Sequence, residues 1–392
     1  MASRTSSPSP SVDLLRQLVA FPTVSRDSNL DLIHFVRDAL KACGADIRLT
    51  YDDDKRKANL FATLGPREGR GLVLSGHTDV VPTEGQAWDT NPFEMVERDG
   101  RLYGRGTADM KAFIACALAI VPDWVRRGLK SPLHLAFSYD EEVGCLGIGR
   151  LISDLNRAAI RPGACIVGEP TGMTAVIAHK GKKSYRCTVR GLAGHSAYAP
   201  RGVNAVEYAA EAIAFLKSLA RRHRDRGPYD HGFDIAHTTV HTGVIRGGTA
   251  LNVIPHECVF DFEFRYLPGD DPDRLLQEFR DYVRTRLEPE MQAVHAAAGF
   301  AIEPVSAIPM LDTGAESEIV ALAQALSENR DLGKVSYGTD GSQFHRAGIP
   351  TVICGPGSIA QAHKPNEYIE LEQVARCDSF LRGLGDRLCL RP

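Results

Sequence analysis

The stretch Gly71-Leu-Val-Leu-Ser-Gly-His-Thr-Asp79 decides the predicted fold. It begins as a short apolar run that ends at a glycine, which is typical of a buried strand leading into a loop. Similar strand-like runs span 58–64, 133–139, 164–168 and 351–354, and helical spacing covers 12–42 and 112–121. Strands that alternate with helices predict a mostly parallel sheet with both faces covered.

The middle of the chain has a different pattern, in which polar and apolar residues alternate. Strand-like segments span 183–190, 238–245 and 258–266, and helical segments span 203–221 and 273–287. Such a pattern predicts a sheet with one solvated face and two helices on the other. We therefore expect an inserted domain over 182–308 and a discontinuous main domain over 1–181 and 309–392.

Composition excludes several classes of partner. Lys and Arg total 46 against 49 Asp and Glu, so no basic field exists to attract nucleic acid. No apolar run approaches the roughly 20 residues that span a membrane.

The nine cysteines include no C-x-x-C pair, which predicts free thiols in a reducing compartment. The polar Met1–Pro10 lacks a signal-peptide core and is expected to be a disordered lead-in, so the predicted location is cytoplasmic.

Five acidic or histidine-bearing segments follow predicted strands or lie in loops: His77-Thr-Asp79, Asp109, Asp140-Glu-Glu142, Glu169 and His363. Taken singly, each has an ordinary structural explanation, such as a helix N-cap for Asp109 or a solvated turn for the three consecutive acids. Taken together, imidazole and carboxylate donors suit zinc, and two close ions would need a bridging ligand. Neither a G-x-S-x-G elbow, an H-E-x-x-H helix nor a phosphate-binding loop is present.

The order, spacing and flanking residues of these five segments resemble the acetylornithine deacetylase, succinyl-diaminopimelate desuccinylase and aminoacylase family of dinuclear zinc hydrolases. The resemblance covers nearly the whole chain beyond the first ten residues. It implies an α/β fold, in which a zinc-exopeptidase-like catalytic domain over 1–181 and 309–392 has a mixed, mostly parallel sheet. A smaller α+β dimerisation or lid domain over 182–308 would interrupt it, and a homodimer is expected.

The resemblance also implies a set of metal ligands. One zinc ion would be held by His77, Asp109 and Glu169, and the second by Asp109, Glu142 and His363, with Asp109 bridging. Cobalt or manganese could substitute, because carboxylate-rich sites accept both.

Three further residues have implied catalytic roles. Asp79 would orient the imidazole of His77. Glu141 would act as the general base that takes a proton from water and passes it to the leaving amine. His195, in Gly194-His-Ser196, would stabilise the oxyanion, often in the active site of the partner subunit.

The predicted substrate is a small N-acylated amino acid. The segments 201–207, 355–358 and 361–368 look closest to the acetylornithine deacetylase branch, which implies conversion of N2-acetyl-L-ornithine to ornithine and acetate in arginine biosynthesis. Asn252 resembles the substrate-contacting asparagine of the family. Arg265 is either a clamp for the substrate α-carboxylate or an ordinary strand-end salt bridge.

Two segments depart from that branch, 337–342 and 197–200. Acetylcitrulline, other acetylamino acids and succinyl-diaminopimelate therefore stay open as substrates. A dipeptidase would use the same metal chemistry. Outside the enzymes, a non-catalytic metal- or ligand-binding protein is the alternative, although Glu141 beside a complete ligand set argues against it.

Overall fold

A computed structural model describes residues 9–390, so most of the predicted lead-in Met1–Pro10 lies outside the described residues. The chain divides into two compact units. The first comprises 9–178, 311–333 and 339–390 among the described residues, and the second comprises His179–Met310 and Lys334–Gly338. Within the described range, no helix has the length and apolar character needed to cross a membrane.

In the first part of the chain, the described residues form four α-helices and eight strands. The helices are α1 (Pro10–Val19), α2 (Leu30–Ala42), α3 (Ala112–Arg127) and α4 (Leu146–Arg157). The strands are β1 (Asp46–Tyr51), β2 (Ala58–Leu64), β3 (Leu72–His77), β4 (Val96–Arg98), β5 (Arg101–Tyr103), β6 (Leu133–Ser138), β7 (Ala164–Pro170) and β8 (Ala175–His179). The helical spacing over 12–42 thus belongs to two helices, and the connection between them contains Pro22, which restricts the residue before it to extended backbone.

In the middle part, the described residues form six strands and three α-helices. The strands are β9 (Gly181–Arg190), β10 (Gly194–His195), β11 (Thr239–Gly247), β12 (Val253–Ile254), β13 (Glu257–Tyr266) and β14 (Gly299–Ile308). The helices are α5 (Ala205–Arg226), α6 (Pro272–Tyr282) and α7 (Glu288–Val294). The last part adds β15 (Leu311–Asp312), α8 (Glu318–Ser327), β16 (Leu332–Val335), α9 (Gly341–Arg346), β17 (Thr351–Gly355), β18 (Tyr368–Glu370) and α10 (Leu371–Leu388).

The large sheet has the order β1-β2-β6-β3-β7-β17-β8-β15, with β16 beside β8. Its central strands are parallel, because β3 pairs in parallel with β6 and β7, and β17 with β7. The outer pairs β1–β2 and β2–β6 are antiparallel. The predicted α/β class with a mostly parallel central sheet is confirmed, and the carboxyl ends of β6, β3, β7 and β17 meet at one edge.

Packing of α3 against this sheet fixes the position of the loop before the helix. A side chain at Gly168 would clash with the ring of Phe113, since a Cβ there would lie 1.9 Å from the ring carbon Cγ. The phenyl ring therefore needs a glycine on β7, and its contact holds the first turn of α3 against the strand. As a result Asp109, three residues before the helix, lies next to Glu169, the residue after Gly168.

The second unit has a four-stranded antiparallel sheet of order β11-β13-β9-β14. Alternate residues of β13 are buried, including Phe260, Phe262 and Phe264, and they pack in one core with residues of α5 and α6. This is the sheet with one covered face that the alternating pattern predicts. A short antiparallel ribbon pairs β10 with β12, which places His195 opposite Val253.

Candidate active site

The first group of possible ligands, here called the inner cluster, consists of His77, Asp109 and Glu169. Their ligand atoms all lie within 4.8 Å of one another, and each residue is at least nine-tenths buried. His77 ends β3 and Glu169 lies near the end of β7, the neighbouring parallel strand. Polar groups converge at this edge because parallel strands present their carboxyl ends together.

The imidazole of His77 is oriented as a metal ligand would be. Its Nδ1 lies 2.9 Å from the main-chain oxygen of Asp79, a distance and partner that call for an N–H donor. In the neutral ring the lone pair is then on Nε2, which lies 3.0 Å from Asp109 Oδ1 and 3.9 Å from Glu169 Oε1. The ring therefore presents its free nitrogen to the two carboxylates.

The second group, here called the outer cluster, consists of Asp109, Glu142 and His363. His363 Nε2 lies 2.9 Å from Glu142 Oε2 and 3.3 Å from Asp109 Oδ2. Asp109 thus turns one carboxylate oxygen to each histidine, which is the arrangement of a bridging carboxylate. The side chain of His363 is 53% exposed, whereas that of His77 is 1% exposed.

The charges of the two clusters favour the binding of cations. Burial lowers the pKa of His77, but a second proton on Nε2 would form a hydrogen bond to Asp109 and face the charge of Glu169, and these effects outweigh burial and raise the pKa well above 6.5. Burial raises the pKa of Glu169 well above 4.5, and that of Glu142 to about 7. Within residues 9–390 the buried Glu169 Oε1 has no hydrogen-bond donor. A buried carboxylate oxygen without a donor is costly, and a divalent cation would satisfy it.

Asp79 positions a loop as well as a ring. The carboxylate of Asp79 lies 3.7 Å from His77 Nδ1, whereas the main-chain oxygen of Asp79 lies 2.9 Å from the same atom. The same carboxylate accepts hydrogen bonds from the amides of Glu141 and Glu142, at 3.1 and 3.3 Å, and from Ser25 Oγ at 2.7 Å. The main chain of Asp79 therefore orients the imidazole, and its side chain holds the acidic loop after β6.

Glu141 lies in that loop beside the two clusters. Burial raises the pKa of Glu141 well above 4.5, and the charge of Glu169 adds to the rise against the opposing effect of His77. The thiol of Cys145 donates a weak hydrogen bond to Glu141 Oε1 at 3.4 Å. This carboxyl group is therefore a proton acceptor and donor of raised pKa next to the possible metal ligands.

Sequence reasoning missed Asp340, although it lies in the segment 337–342. Its carboxylate accepts a hydrogen bond from Ser138 at the end of β6, and one ligand atom each of Asp340, Glu141 and Cys145 lie within 4.8 Å. Burial raises the pKa of Asp340 to about 6. The sequence shows that this segment contains an aspartate, but the position of Asp340 beside Glu141 follows from the fold.

The second unit brings two of the predicted residues together. His195 Nδ1 accepts a hydrogen bond from the amide of Ala197 at 3.1 Å, so the neutral ring carries its proton on Nε2. The amide of Ser196 donates to the main-chain oxygen of Asn252 at 3.1 Å. His195 and Asn252 are both exposed and lie side by side.

Arg265 lies elsewhere in that unit. It is near the far end of β13, where it pairs with Lys182 of β9, whereas the His195 ribbon adjoins the end that begins at Glu257. Arg265 lies eight residues along the strand from Glu257, a span of about 27 Å. Arg265 Nε donates to Glu263 Oε1 at 2.9 Å, so a salt bridge is present at this position.

Comparison with known proteins identifies relatives of this chain. The profile of peptidase family M20/M25/M40 matches residues 73–386. The chain is 35% identical to the acetylornithine deacetylase of Proteus mirabilis (strain HI4320), over 97% of either chain. It is 38% identical to the acetylornithine deacetylase of Myxococcus xanthus, over 96% of either chain.

A solved structure shares the fold. The M20 family metallo-carboxypeptidase Sso-CP2 from Sulfolobus solfataricus superposes with a TM-score of 0.74, although the two chains are only 16% identical. The match covers 96% of this chain and 99% of that chain.

Proposed function

The chain belongs to peptidase family M20/M25/M40, and on that premise we propose that it uses two metal ions to hydrolyse the amide bond of an N-acylated amino acid. The single observation that carries the proposal is the position of Asp109, which turns Oδ1 to His77 and Oδ2 to His363. The inner cluster would hold one ion and the outer cluster the other, with Asp109 as the shared ligand.

Zinc is the proposed metal, with cobalt or manganese as substitutes, since neutral imidazole and carboxylate are ligands that all three accept. When bound, zinc lowers the pKa of water to about 7 and polarises a carbonyl group. The residues fit such an ion, because within residues 9–390 Glu169 Oε1 is buried without a donor, and the two clusters bring three carboxylates, of Asp109, Glu142 and Glu169, to two imidazoles.

Glu141 is the proposed general base. The pKa of Glu141 is raised toward neutral pH. A carboxyl group whose pKa lies near the working pH exchanges protons efficiently with water and an amine. Glu141 would take a proton from the attacking water while the new C–O bond forms. It would return that proton to the nitrogen as the C–N bond breaks, which yields a carboxylic acid and a free amine. Asp79 holds the amide of Glu141 and so fixes the direction of the carboxyl group.

His195 is the proposed oxyanion donor, because its Nε2 carries a proton that no described acceptor takes up. Asn252 would contact the substrate next to it, and Arg265 would clamp the α-carboxylate once its ion pair with Glu263 opens. His195 and Asn252 lie beside the Glu257 end of β13, and that strand extends about 27 Å from Glu257 to Arg265. We therefore assign them and Arg265 to different active sites, in a homodimer whose second unit lends His195 and Asn252 to the partner subunit.

N2-acetyl-L-ornithine is the proposed substrate, in a cytoplasmic protein of arginine biosynthesis, because both reported relatives are acetylornithine deacetylases over nearly their full length. The test is hydrolysis of acetylornithine, acetylcitrulline, acetylmethionine, succinyl-diaminopimelate and a dipeptide by the zinc-loaded protein. We expect the highest kcat/KM for acetylornithine. A preference for another acylated amino acid would keep the proposed reaction but change the proposed substrate. A preference for the dipeptide would show that the reaction is peptide hydrolysis. Inactivity on all five compounds would contradict the proposal.

A further inference from the structure

The outer cluster includes His363, which lies in a loop whose conformation must be held by other residues. His363 has a positive φ of 63°, which is unfavourable for a residue with a side chain, and its ring is half exposed. We propose that Gln86, Arg105 and Glu367 form a positioning network that sets how tightly the outer cluster holds its metal ion. The inference rests on the proposed dinuclear site, but none of the three residues is itself a proposed ligand.

One end of the network holds the bridging residue. Glu367 Oε1 accepts hydrogen bonds from the amides of Ala108 and Asp109, at 2.8 and 3.1 Å. Arg105 Nη1 donates to Glu367 Oε2 at 2.7 Å, and both side chains are 1% exposed. A buried ion pair of this kind is geometrically specific, because either partner alone would be an uncompensated charge. The main chain of Asp109 is therefore tied to Arg105.

The other end of the network holds His363. Arg105 Nη2 donates to Gln86 Oε1 at 2.6 Å, and Gln86 Nε2 donates to the main-chain oxygen of His363 at 3.0 Å. The indole of Trp88 fixes Gln86 from a second side, since Trp88 Nε1 donates to the same Oε1 at 3.1 Å. The guanidinium of Arg105 also lies over the Trp88 ring, 5.0 Å from its centroid. The amide of Gln86 is thus held with its donor facing the loop.

The network connects two ligands of the outer cluster through their main chains. Within residues 9–390 the hydrogen bonds of Gln86, Arg105 and Glu367 reach neither His77 nor Glu169, which the central strands already hold. Gln86 contacts the main chain of His363 directly and is linked to Asp109 only through Arg105 and Glu367. Its loss should weaken the outer ion selectively, because partners that orient a ligand typically contribute 10- to 100-fold in metal affinity.

The test compares wild type with Gln86→Glu and Gln86→Leu, each purified with zinc and titrated with a chelator while released zinc is measured. Glu keeps the acceptor for Arg105 and Trp88 but loses the donor to His363, whereas Leu removes both the donor and that acceptor without adding charge. Gln86 is only partly buried, so both variants should fold. Gln17→Glu, on the exposed face of α1, is the control for the added charge. We expect the weaker ion to leave at about 10- to 100-fold lower chelator concentration in both Gln86 variants.

Two further readouts separate positioning from general damage. The tighter ion and the thermal midpoint should match wild type, and added zinc should restore kcat. Equal weakening of both ions, opposite shifts in the two Gln86 variants, or no shift would overturn the inference while the proposed function stands. A wild-type protein that binds fewer than two ions would overturn both.

Discussion

The inner and outer clusters share Asp109 but are built in different ways. His77 and Glu169 come from adjacent parallel strands and are almost fully buried, so the sheet itself sets their separation. Glu142 and His363 come from loops, and His363 is half exposed. The sheet edge therefore preforms one half of the proposed two-ion site, whereas the other half depends on side chains that hold its loops.

The largest effect should come from the shared ligand. Asp109→Asn removes a carboxylate that faces both histidines, so we expect neither cluster to retain an ion. Activity should fall about 10⁴-fold or more, since loss of the metals removes several kcal/mol of transition-state stabilisation. Metal analysis and kcat/KM measure both effects, with the exposed Asp38→Asn as control. Two ions in Asp109→Asn would contradict the shared site.

Glu141→Gln should separate metal binding from proton transfer. Glu141 belongs to neither ligand cluster in the proposal, so both ions should stay bound. We expect kcat to fall about 10²- to 10⁴-fold, the usual contribution of a general acid–base. The measurement is kcat with zinc content determined on the same sample, and the exposed Glu94→Gln serves as control. Near wild-type kcat in a protein with two ions would remove Glu141 from the mechanism.

Asp79→Asn should weaken the outer cluster and leave the inner cluster unchanged. The main-chain oxygen that orients His77 is unchanged, so the inner ion should stay bound as in wild type. The amides of Glu141 and Glu142 donate to different oxygens of the Asp79 carboxylate, and Asn replaces one of those oxygens with an NH2 group that cannot accept, so the acidic loop should shift. We expect kcat and the affinity of the outer ion to fall about 10- to 100-fold. Loss of the inner ion instead would show that the carboxylate orients His77.

The outer ion should also respond to pH. Hydrogen bonds to Asp109 and Glu142 raise the pKa of His363 to about 10, and burial raises the pKa of Glu142 to about 7. Both groups must be deprotonated to bind a metal, so a falling pH favours the proton. We expect about tenfold loss of affinity per pH unit below pH 10, and a steeper loss below pH 7. Calorimetry across this range measures it, and a flat profile would contradict the prediction.

The sequence predicted the features that local patterns determine. Apolar runs with acids or histidine after them located the central strands, and the meeting of parallel strand ends follows from their topology. Contacts between distant segments could not be predicted in this way. Arg105 and Glu367 are 262 positions apart, and the antiparallel pairing of β18 with β5 brings them together. Likewise, H-x-D spacing in His77-Thr-Asp79 does not reveal that the carboxylate turns toward the loop after β6.

The most direct test of the two-ion site is a crystal structure of the zinc-loaded protein with anomalous data at the zinc edge. We predict two anomalous peaks about 3.5–4 Å apart, one on either side of the Asp109 carboxylate, with the peak beside His77 and Glu169 at least as strong as the other. A single peak, or two peaks that do not share Asp109, would contradict the account.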